Sequence, residues 1–371
     1  MVRLPEFLPP AWGAGLVGFR RVCGVAAMAI AVLASVIGVR HPAPFFHAYL
    51  FAALVCLNPT LGCLLLAFIH RMTGGAWGRT LAPALAAGQR MVPWTILLCV
   101  PLFFGLGHLF PWAAPGTLSA QARLFLVQHP AYFSRPAFIL RSVGYGILFL
   151  VLLAIAPPGR RAWTGPVGMM LYIIATYLLA VDWVLSLEPG WSSTGFPLVF
   201  MASQALSGIA FCIAVTILAG APVADLDKPV IWKDLGNLLL GIMMFWAYVA
   251  YSQFLVVWSG NLPHEAVWYL HRNAGGWHYI LLALAVFQLL IPLLLLLSSR
   301  TKRRTRFFAA LAVGVLLGQV LYTYWLVLPS FRPQGIDFHW LDLLLPLALG
   351  GLWLFRFLGL APLPLQEEAH A

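Results

Sequence analysis

The chain consists of long apolar stretches separated by short polar segments. Each stretch has about the twenty predominantly apolar residues that a helix needs to cross a bilayer. Ten are present: residues 20–39, 46–69, 92–111, 137–156, 166–187, 196–219, 235–258, 277–298, 307–328 and 341–358. The pattern predicts an all-α integral membrane protein with about ten transmembrane helices, which we number span 1 to span 10.

Composition supports the same interpretation. Hydrophobic residues make up 62% of the chain and charged residues only 9%, whereas a soluble domain is about 25% charged. We therefore expect one polytopic membrane domain over residues 1–371. A short N-terminal segment, residues 1–19, and a short tail, residues 359–371, are expected to lie in the cytoplasm.

The net charge of +11 bears on orientation. Basic residues occur in short clusters between the apolar stretches, as topology determinants do, so nucleic acid is not an expected partner. If the N-terminus is cytoplasmic, 16 of the 22 lysines and arginines lie on the cytoplasmic side, and SSRTKRRTR (298–306) is the densest cluster. This bias predicts that both termini are cytoplasmic.

Titratable side chains gather at the opposite, outer ends of the spans. Asp182 and Glu188 end span 5, and Arg141 in span 4 lies at the depth of Asp182. His108 and His278 lie at the outer ends of spans 3 and 8. Ionisable groups at membrane depth usually face a bundle interior or a wet cavity. Either these five residues line one polar cavity, or they form an interfacial fringe with scattered ion pairs.

Asp182 has two candidate roles. A partly buried carboxylate beside a cation can exchange protons near neutral pH, so Asp182 is a candidate proton relay oriented by Arg141, with Glu188 nearer bulk water. The alternative is a structural Asp–Arg clamp between spans 4 and 5.

Polar residues also occur inside two spans. Tyr248, Tyr251 and Ser252 share one stripe of span 7, and Gln204 lies beside Ser203 in span 6. Small and hydroxyl residues at such spacing most often mark helix–helix contacts in a membrane. A relay of hydroxyl and amide groups that passes protons is the alternative.

No motif indicates a cofactor or metal site in this chain. The five cysteines lie in apolar stretches without C-x-x-C or C-x-x-C-H spacing. No Ser-His-Asp or H-E-x-x-H pattern indicates a hydrolase, so no residue is predicted to be catalytic.

Three segments carry a family resemblance: HRMTGGAWG (70–78), VDWVLSLEPGWSST (181–194) and FWAYVAYSQFLVVWSGNLPHEAVWYLHRNAGGW (245–277). They resemble the F subunit of alternative complex III, the bacterial quinol:cytochrome c or quinol:oxidase oxidoreductase. That subunit is related to the NrfD/polysulfide-reductase family of membrane subunits. The resemblance extends from about residue 45 to residue 331. Gly190 is a departure, because the family often has a histidine there.

The resemblance implies two four-helix bundles, spans 2–5 and spans 6–9, flanked by spans 1 and 10. It also implies a scaffold and proton-path subunit, not catalytic alone, in the bacterial inner membrane. The implied partners are an NrfD-like membrane subunit, an iron–sulfur subunit, c-type cytochromes and a terminal oxidase. Haem c and iron–sulfur clusters would belong to those partners, and quinol to a partner or the membrane interface. A polytopic secondary transporter is the alternative, although the two halves show no similarity.

Overall fold

The computed structural model of the chain describes residues 10–114, 123, 126–157, 159, 161–189, 191–218 and 229–360. Within these residues the regular structure is helical and contains no strand. The first helix begins at Pro10, ten residues before the predicted start of span 1, and the last ends at Leu360. The predicted terminal segments therefore lie partly within these helices and partly outside the described residues. Gly190 also lies outside the described residues.

Ten helical segments of the described chain are long and apolar enough to cross a membrane. In order they are Val17–Arg40, Pro42–Thr73, Ala76–Leu109, Arg135–Ile155, Thr164–Leu187, Phe196–Leu218, Val230–Gly260, Trp277–Leu297, Thr305–Ser330 and Leu341–Leu360. Spans 5 and 9 end in the single 3₁₀ turns Leu185–Leu187 and Leu328–Ser330. Shorter helices lie outside the spans: Pro111–Ala113, Pro263–His271 and Ser299–Arg303. The number and order of spans agree with the prediction, so the chain is a multi-pass, all-α membrane protein.

Span 3 differs from the prediction, since it begins at Ala76 and not at residue 92. Gly74 and Gly75, with φ of 67° and 100°, confine the turn to two residues. The following segment is rich in alanine, the strongest helix former, and is helical over Ala76–Gln89. The span continues through Val92–Cys99, a 3₁₀ segment, Val100–Gly105, and a final turn, Leu106–Leu109.

Spans 2 and 6 form the centre of the molecule and are buried along nearly their whole length. They cross at Gly62 and Gly208, where the two backbones touch. A Cβ atom on Gly62 would lie only 2.0 Å from the backbone oxygen of Gln204. Glycine permits this approach, as small residues do at helix contacts in membranes. The sulfur atoms of Cys63 and Cys212 meet at the same level, 3.6 Å apart.

The other spans pack around this central pair. Span 2 contacts spans 3, 5 and 10, and span 6 contacts spans 5, 7 and 9. Span 4 packs on span 5, span 8 packs on span 9, and span 1 packs mainly on span 10. Span 8 is interrupted by a π-helical segment, Leu284–Leu290, between the helices Trp277–Ala283 and Ile291–Leu297.

Candidate functional site

Ion pairs between arginine and carboxylate groups are concentrated at one end of the bundle. This end carries the start of spans 4, 8 and 10 and the end of spans 5 and 9. Three carboxylates lie there, each in contact with one arginine: Asp182, Glu188 and Asp342. We call this end the carboxylate face and the opposite end the basic face.

Asp182 lies near the end of span 5 and is 1% exposed. Its carboxylate accepts two hydrogen bonds from Arg141, from Nε at 2.8 Å and Nη2 at 3.0 Å. It also accepts the hydroxyl of Tyr132 at 2.7 Å and that of Tyr145 at 2.5 Å. Arg141 and Tyr145 are one helical turn apart in span 4, so both reach the same carboxylate. Four donors therefore hold one buried charge.

Tyr132 lies in the turn that precedes span 4 and completes this cluster from outside the membrane-spanning segment. The Arg141 guanidinium lies over its ring at 3.9 Å and donates to its backbone oxygen at 3.0 Å. Burial raises the pKa of the Tyr132 hydroxyl, and the hydrogen bond to Asp182 raises it further. The hydroxyl therefore remains a proton donor to Asp182 at neutral pH. The expected Arg141–Asp182 pair is present.

Glu188 follows span 5 and belongs to a second cluster. Its Oε1 accepts from Arg272 Nη1 at 2.7 Å and from the Ser330 hydroxyl at 2.7 Å, while Oε2 lies 3.2 Å from His271 Nδ1. Burial on its own would raise the pKa of Glu188, but Arg272 and the hydrogen bonds from His271, Arg272 and Ser330 bring the pKa below its usual value. Glu188 is therefore ionised at neutral pH.

Arg272 is the most buried charged residue of this cluster, at 2% exposure. Its guanidinium stacks on the Trp268 ring at 3.7 Å and donates to the Leu326 oxygen at 2.6 Å. Burial lowers the pKa of Arg272 and Glu188 opposes that shift; an arginine in such a pair stays charged. Arg272 thus connects the end of span 5, the helix Pro263–His271 and the end of span 9.

The third pair joins the end of span 9 to span 10. Arg332 contacts both oxygens of Asp342, at 2.6 and 3.0 Å. The backbone N–H of His339 also donates to Asp342, at 3.1 Å. Asp337 accepts a hydrogen bond from Arg332 through its backbone oxygen and not through its carboxylate. Asp342 is the residue whose carboxylate accepts a backbone N–H at the start of span 10.

A cavity of about 910 Å³ lies between the first two clusters, and we call it the polar cavity after the hydroxyl and carboxylate groups in its otherwise mostly apolar wall. Tyr132 and Ser186, which both contact Asp182, line one side, and Glu188 lines another. Tyr248 and Ser252 of span 7 also line it. The polar cavity therefore connects the surroundings of Asp182 with Glu188, although Asp182 itself lies behind Tyr132.

One of the two alternatives for Asp182, Glu188, Arg141, His108 and His278 was a shared polar cavity. Of Asp182, Glu188, Arg141, His108 and His278, only Glu188 is among the residues that line the polar cavity. His108 stacks on Phe46 with ring centres 5.8 Å apart, and His278 Nδ1 lies 3.2 Å from the Asn273 oxygen. Each histidine is held by local contacts at its own span end. Neither histidine is in one of the ion pairs described here.

The polar residues predicted inside spans 6 and 7 lie in different surroundings. Gln204 lies at the centre and accepts the Tyr172 hydroxyl at 2.5 Å, and Ser203 donates to Gln319 of span 9 at 2.5 Å. These are helix–helix contacts, as predicted for span 6. Tyr248 and Tyr251 are 67% and 62% exposed on the outer side of span 7, so that stripe makes no helix–helix contact of the predicted kind.

Sequence reasoning missed Tyr132, Tyr145, His271, Arg272 and Ser330, which complete the two clusters. Arg272 lies in the polar segment between spans 7 and 8, where the sequence gives it no predicted partner. One signal was available, since Trp268 precedes Arg272 by one helical turn and the two side chains stack. Nothing in the sequence around Ser330 or Tyr132 distinguishes these residues from those of an ordinary turn.

Among the residues that the structure describes, no group of three histidine, cysteine or acidic side chains could hold a metal ion. Compared with protein-family models and with curated proteins, the chain matches none.

Proposed function

We propose that this chain is a membrane subunit of a respiratory quinol:electron-acceptor oxidoreductase complex of the alternative complex III type. It acts as a scaffold and as part of a path for protons. One observation carries the proposal: two of the sequence segments that resemble that family meet at the carboxylate face. Glu188 of one segment binds Arg272 of the other at 2.7 Å, and Trp191 stacks on Trp268 with ring centres 4.7 Å apart.

In this proposal spans 2–5 and spans 6–9 form two four-helix bundles, with spans 1 and 10 beside them. Span 3 packs on span 2 and span 4 on span 5, while spans 7 and 9 pack on span 6 and span 8 on span 9, which supports this division. The partners are an NrfD-like membrane subunit, an iron–sulfur subunit and c-type cytochromes, with a terminal oxidase as acceptor. Those partners carry the haem c and the clusters, and quinol is oxidised in a partner or at the membrane interface.

We assign the basic face to the cytoplasm and the carboxylate face to the periplasm of the bacterial inner membrane, because of the positive-inside bias. Reporter fusions after Arg306 should then score cytoplasmic, and fusions near Asn261 periplasmic. Opposite results at both sites would reverse the assignment without changing the fold.

Protons released by quinol oxidation need a hydrated route to the outer aqueous phase. The polar cavity is our candidate for this route, because hydroxyl groups and Glu188 line part of it. Four hydrogen bonds from Arg141, Tyr132 and Tyr145 fix the Asp182 carboxylate against span 4 and the turn before it, which favours the clamp over the relay for this residue. We therefore place the path along this cavity, past Tyr132 and Glu188.

Purification of the complex from its native membrane in a mild detergent tests the proposal. We expect a multihaem cytochrome c and an iron–sulfur protein to co-purify with this chain. Purification of this chain alone, with substrate uptake in vesicles, would contradict the proposal and favour the secondary transporter.

The variant Asp182→Asn separates the two roles of Asp182, because it keeps the shape of the side chain but removes its charge. The clamp predicts a complex that assembles poorly. A variant complex that assembles fully and oxidises quinol but no longer releases protons would instead support the relay role of Asp182.

A further inference from the structure

The start of span 10 carries a hydrogen-bonded cap built on a histidine. The backbone N–H of Leu341, the first residue of span 10, donates to Nδ1 of His339 at 3.2 Å. In return, the Asp342 carboxylate accepts the backbone N–H of His339 at 3.1 Å. Reciprocal bonds of this kind form a capping box, which satisfies N–H groups that the first turn of a helix leaves without partners. We call this arrangement the histidine cap.

A histidine in this position differs from the residues that usually cap helices. Serine, threonine, asparagine and aspartate are preferred there, and their side-chain oxygens remain acceptors at neutral and mildly acidic pH. The Nδ1 atom of His339 accepts the Leu341 N–H only in the neutral tautomer that carries its proton on Nε2. The imidazolium form has two donors and no acceptor. The bond to Leu341 therefore exists only while His339 is neutral.

Other described histidines respond to a proton in a different way. The ring nitrogens of His47, His70, His271 and His278 each lie within hydrogen-bond distance of an oxygen atom. A ring N–H can donate to such an oxygen, so protonation preserves these bonds. The Nδ1 atom of His339 faces an N–H group instead. Acid therefore breaks the bond of His339 and leaves those of the other four in place.

The two sides of the cap differ in their access to water. His339 precedes the membrane-spanning segment and is partly exposed, so it can exchange protons with the aqueous phase at the carboxylate face. Leu341 is fully buried, at 0% exposure. An N–H group that loses its partner in a buried position costs free energy. Protonation of His339 therefore acts on a buried part of the helix start.

The charges around the cap do not offer the imidazolium a free partner within the cap. Arg332 already occupies both oxygens of Asp342, at 2.6 and 3.0 Å. The His41 ring lies 5.9 Å from the His339 ring, centre to centre, and a cation is disfavoured at the positive end of a helix. The titratable and charged groups on the neighbouring elements are Arg40 and His41 at the junction of spans 1 and 2, His47 of span 2, Arg332 and Asp337 of the segment before span 10, and Asp342.

The segment between spans 9 and 10 connects the cap with span 8. The indole N–H of Trp277, at the start of span 8, donates to the Arg332 backbone oxygen at 3.1 Å. The backbone N–H of Ile336 donates to the Gly275 oxygen at 3.0 Å. Because Asp342 belongs to the cap and also binds Arg332, a change in the first turn of span 10 is transmitted to this segment.

We propose that the histidine cap is an acid-sensitive switch at the carboxylate face, in which protonation of His339 releases the Leu341 N–H and opens the first turn of span 10. Histidines in proteins typically titrate near pH 6.5, so a mildly acidic aqueous phase is enough to operate it. The switch itself rests on the cap geometry. Its physiological role, to sense protons that accumulate at the face where they are released, rests on the proposed function.

Hydrogen–deuterium exchange of the full chain in detergent micelles tests the switch. The readout is the protection of the Leu341 N–H, in a peptide that contains the start of span 10, at pH 7.5 and pH 5.0. Exchange times are corrected for the intrinsic pH dependence of amide exchange. We expect protection to fall by about 2- to 30-fold at pH 5.0, the range that corresponds to loss of an N-cap.

Two variants of His339 separate the cap from other effects of acid. His339→Asn supplies a preferred capping residue that does not titrate, so the Leu341 N–H should stay protected at both pH values. His339→Ala supplies no acceptor, so protection should be low at both. His278→Asn, which removes a histidine whose ring faces an oxygen, is the matched control and should keep the pH response of the unmodified chain.

Equal protection of the Leu341 N–H at pH 7.5 and pH 5.0 in the unmodified chain would overturn the proposal. So would a pH response that persists in His339→Asn, or one that His41→Asn abolishes, because the titrating group would then be a different one. The measurement needs no partner subunit. Its failure would therefore leave the proposed function standing, and failure of co-purification would leave the switch standing.

Discussion

At the carboxylate face three arginines each contact a carboxylate, whereas at the basic face Arg71 and Lys302 donate hydrogen bonds only to neutral oxygen atoms. Arg71 donates to the Ile155 backbone oxygen at 2.6 Å and to the Thr164 hydroxyl at 2.5 Å. Lys302, 4% exposed, donates to the Asn237 amide oxygen at 2.5 Å. No described lysine or arginine of the basic face pairs with a carboxylate.

This difference changes the net charge of the two faces. Arg141, Arg272 and Arg332 are three of the six basic residues on the carboxylate face, and carboxylates neutralise all three. The uncompensated positive charge is therefore more one-sided than a count of lysine and arginine indicates. The positive-inside rule counts lysines and arginines and not net charge, so these three arginines still count in the prediction of topology.

The largest expected effect comes from removing one partner of a buried pair. Arg272→Met leaves Glu188 buried without its cation, which should cost about 3–5 kcal/mol. Arg71→Met at the basic face removes hydrogen bonds to neutral groups only and should cost about 1–3 kcal/mol. Thermal unfolding in detergent measures both, and equal losses would contradict the distinction between the faces.

A double variant sharpens the same comparison. In Arg272→Met with Glu188→Gln neither charge remains, so the combined loss should be smaller than the sum of the single losses by about 1–3 kcal/mol. A double-mutant cycle of unfolding midpoints provides the measurement. Strict additivity would mean that Glu188 and Arg272 contribute independently, despite their contact.

The pH dependence of stability follows from Glu188. Its pKa is lower in the folded chain than the ordinary value of 4.5, so its ionisation stabilises the fold above pH 4.5. That contribution is lost as the pH falls below 4.5 through the folded pKa, by at most about 1.4 kcal/mol per pH unit. The unfolding midpoint of Glu188→Gln should therefore fall less steeply with acid than that of the unmodified protein. Identical slopes between pH 5 and pH 3 would refute it.

The smallest effect is expected at the basic face. Lys302→Met removes a cation whose bonding partner, the Asn237 amide, is neutral, so it should cost about 1 kcal/mol or less. Arg300→Met, an exposed neighbour, serves as the control and should change stability by less than about 0.5 kcal/mol. A loss as large as that of Arg272→Met would remove the contrast between the faces.

The sequence by itself determined the helical class, the number of spans and most of their ends. Hydropathy is a local property that adds along the chain, so about twenty apolar residues predict a span regardless of what packs on it. The similar depth of Asp182 and Arg141 could also be predicted from hydropathy. The start of span 4 and the end of span 5 lie at the same side of the membrane, because consecutive spans cross it in opposite directions. The start of span 3 was the exception. The glycine-rich segment before it suggests a long loop, but the turn is confined to Gly74 and Gly75 and the helix begins at Ala76.

Only the tertiary structure decided which groups meet. Glu188 and Arg272 are 84 residues apart, and nothing in either local sequence selects the other. The contact of spans 2 and 6 at Gly62 and Gly208 sets where the remaining helices pack, and therefore which span ends lie close together. The polar cavity beside span 7, and the separation of His108 from His278, arise from that packing. Pairing and burial depend on all the helices at once, whereas hydropathy depends on each helix alone.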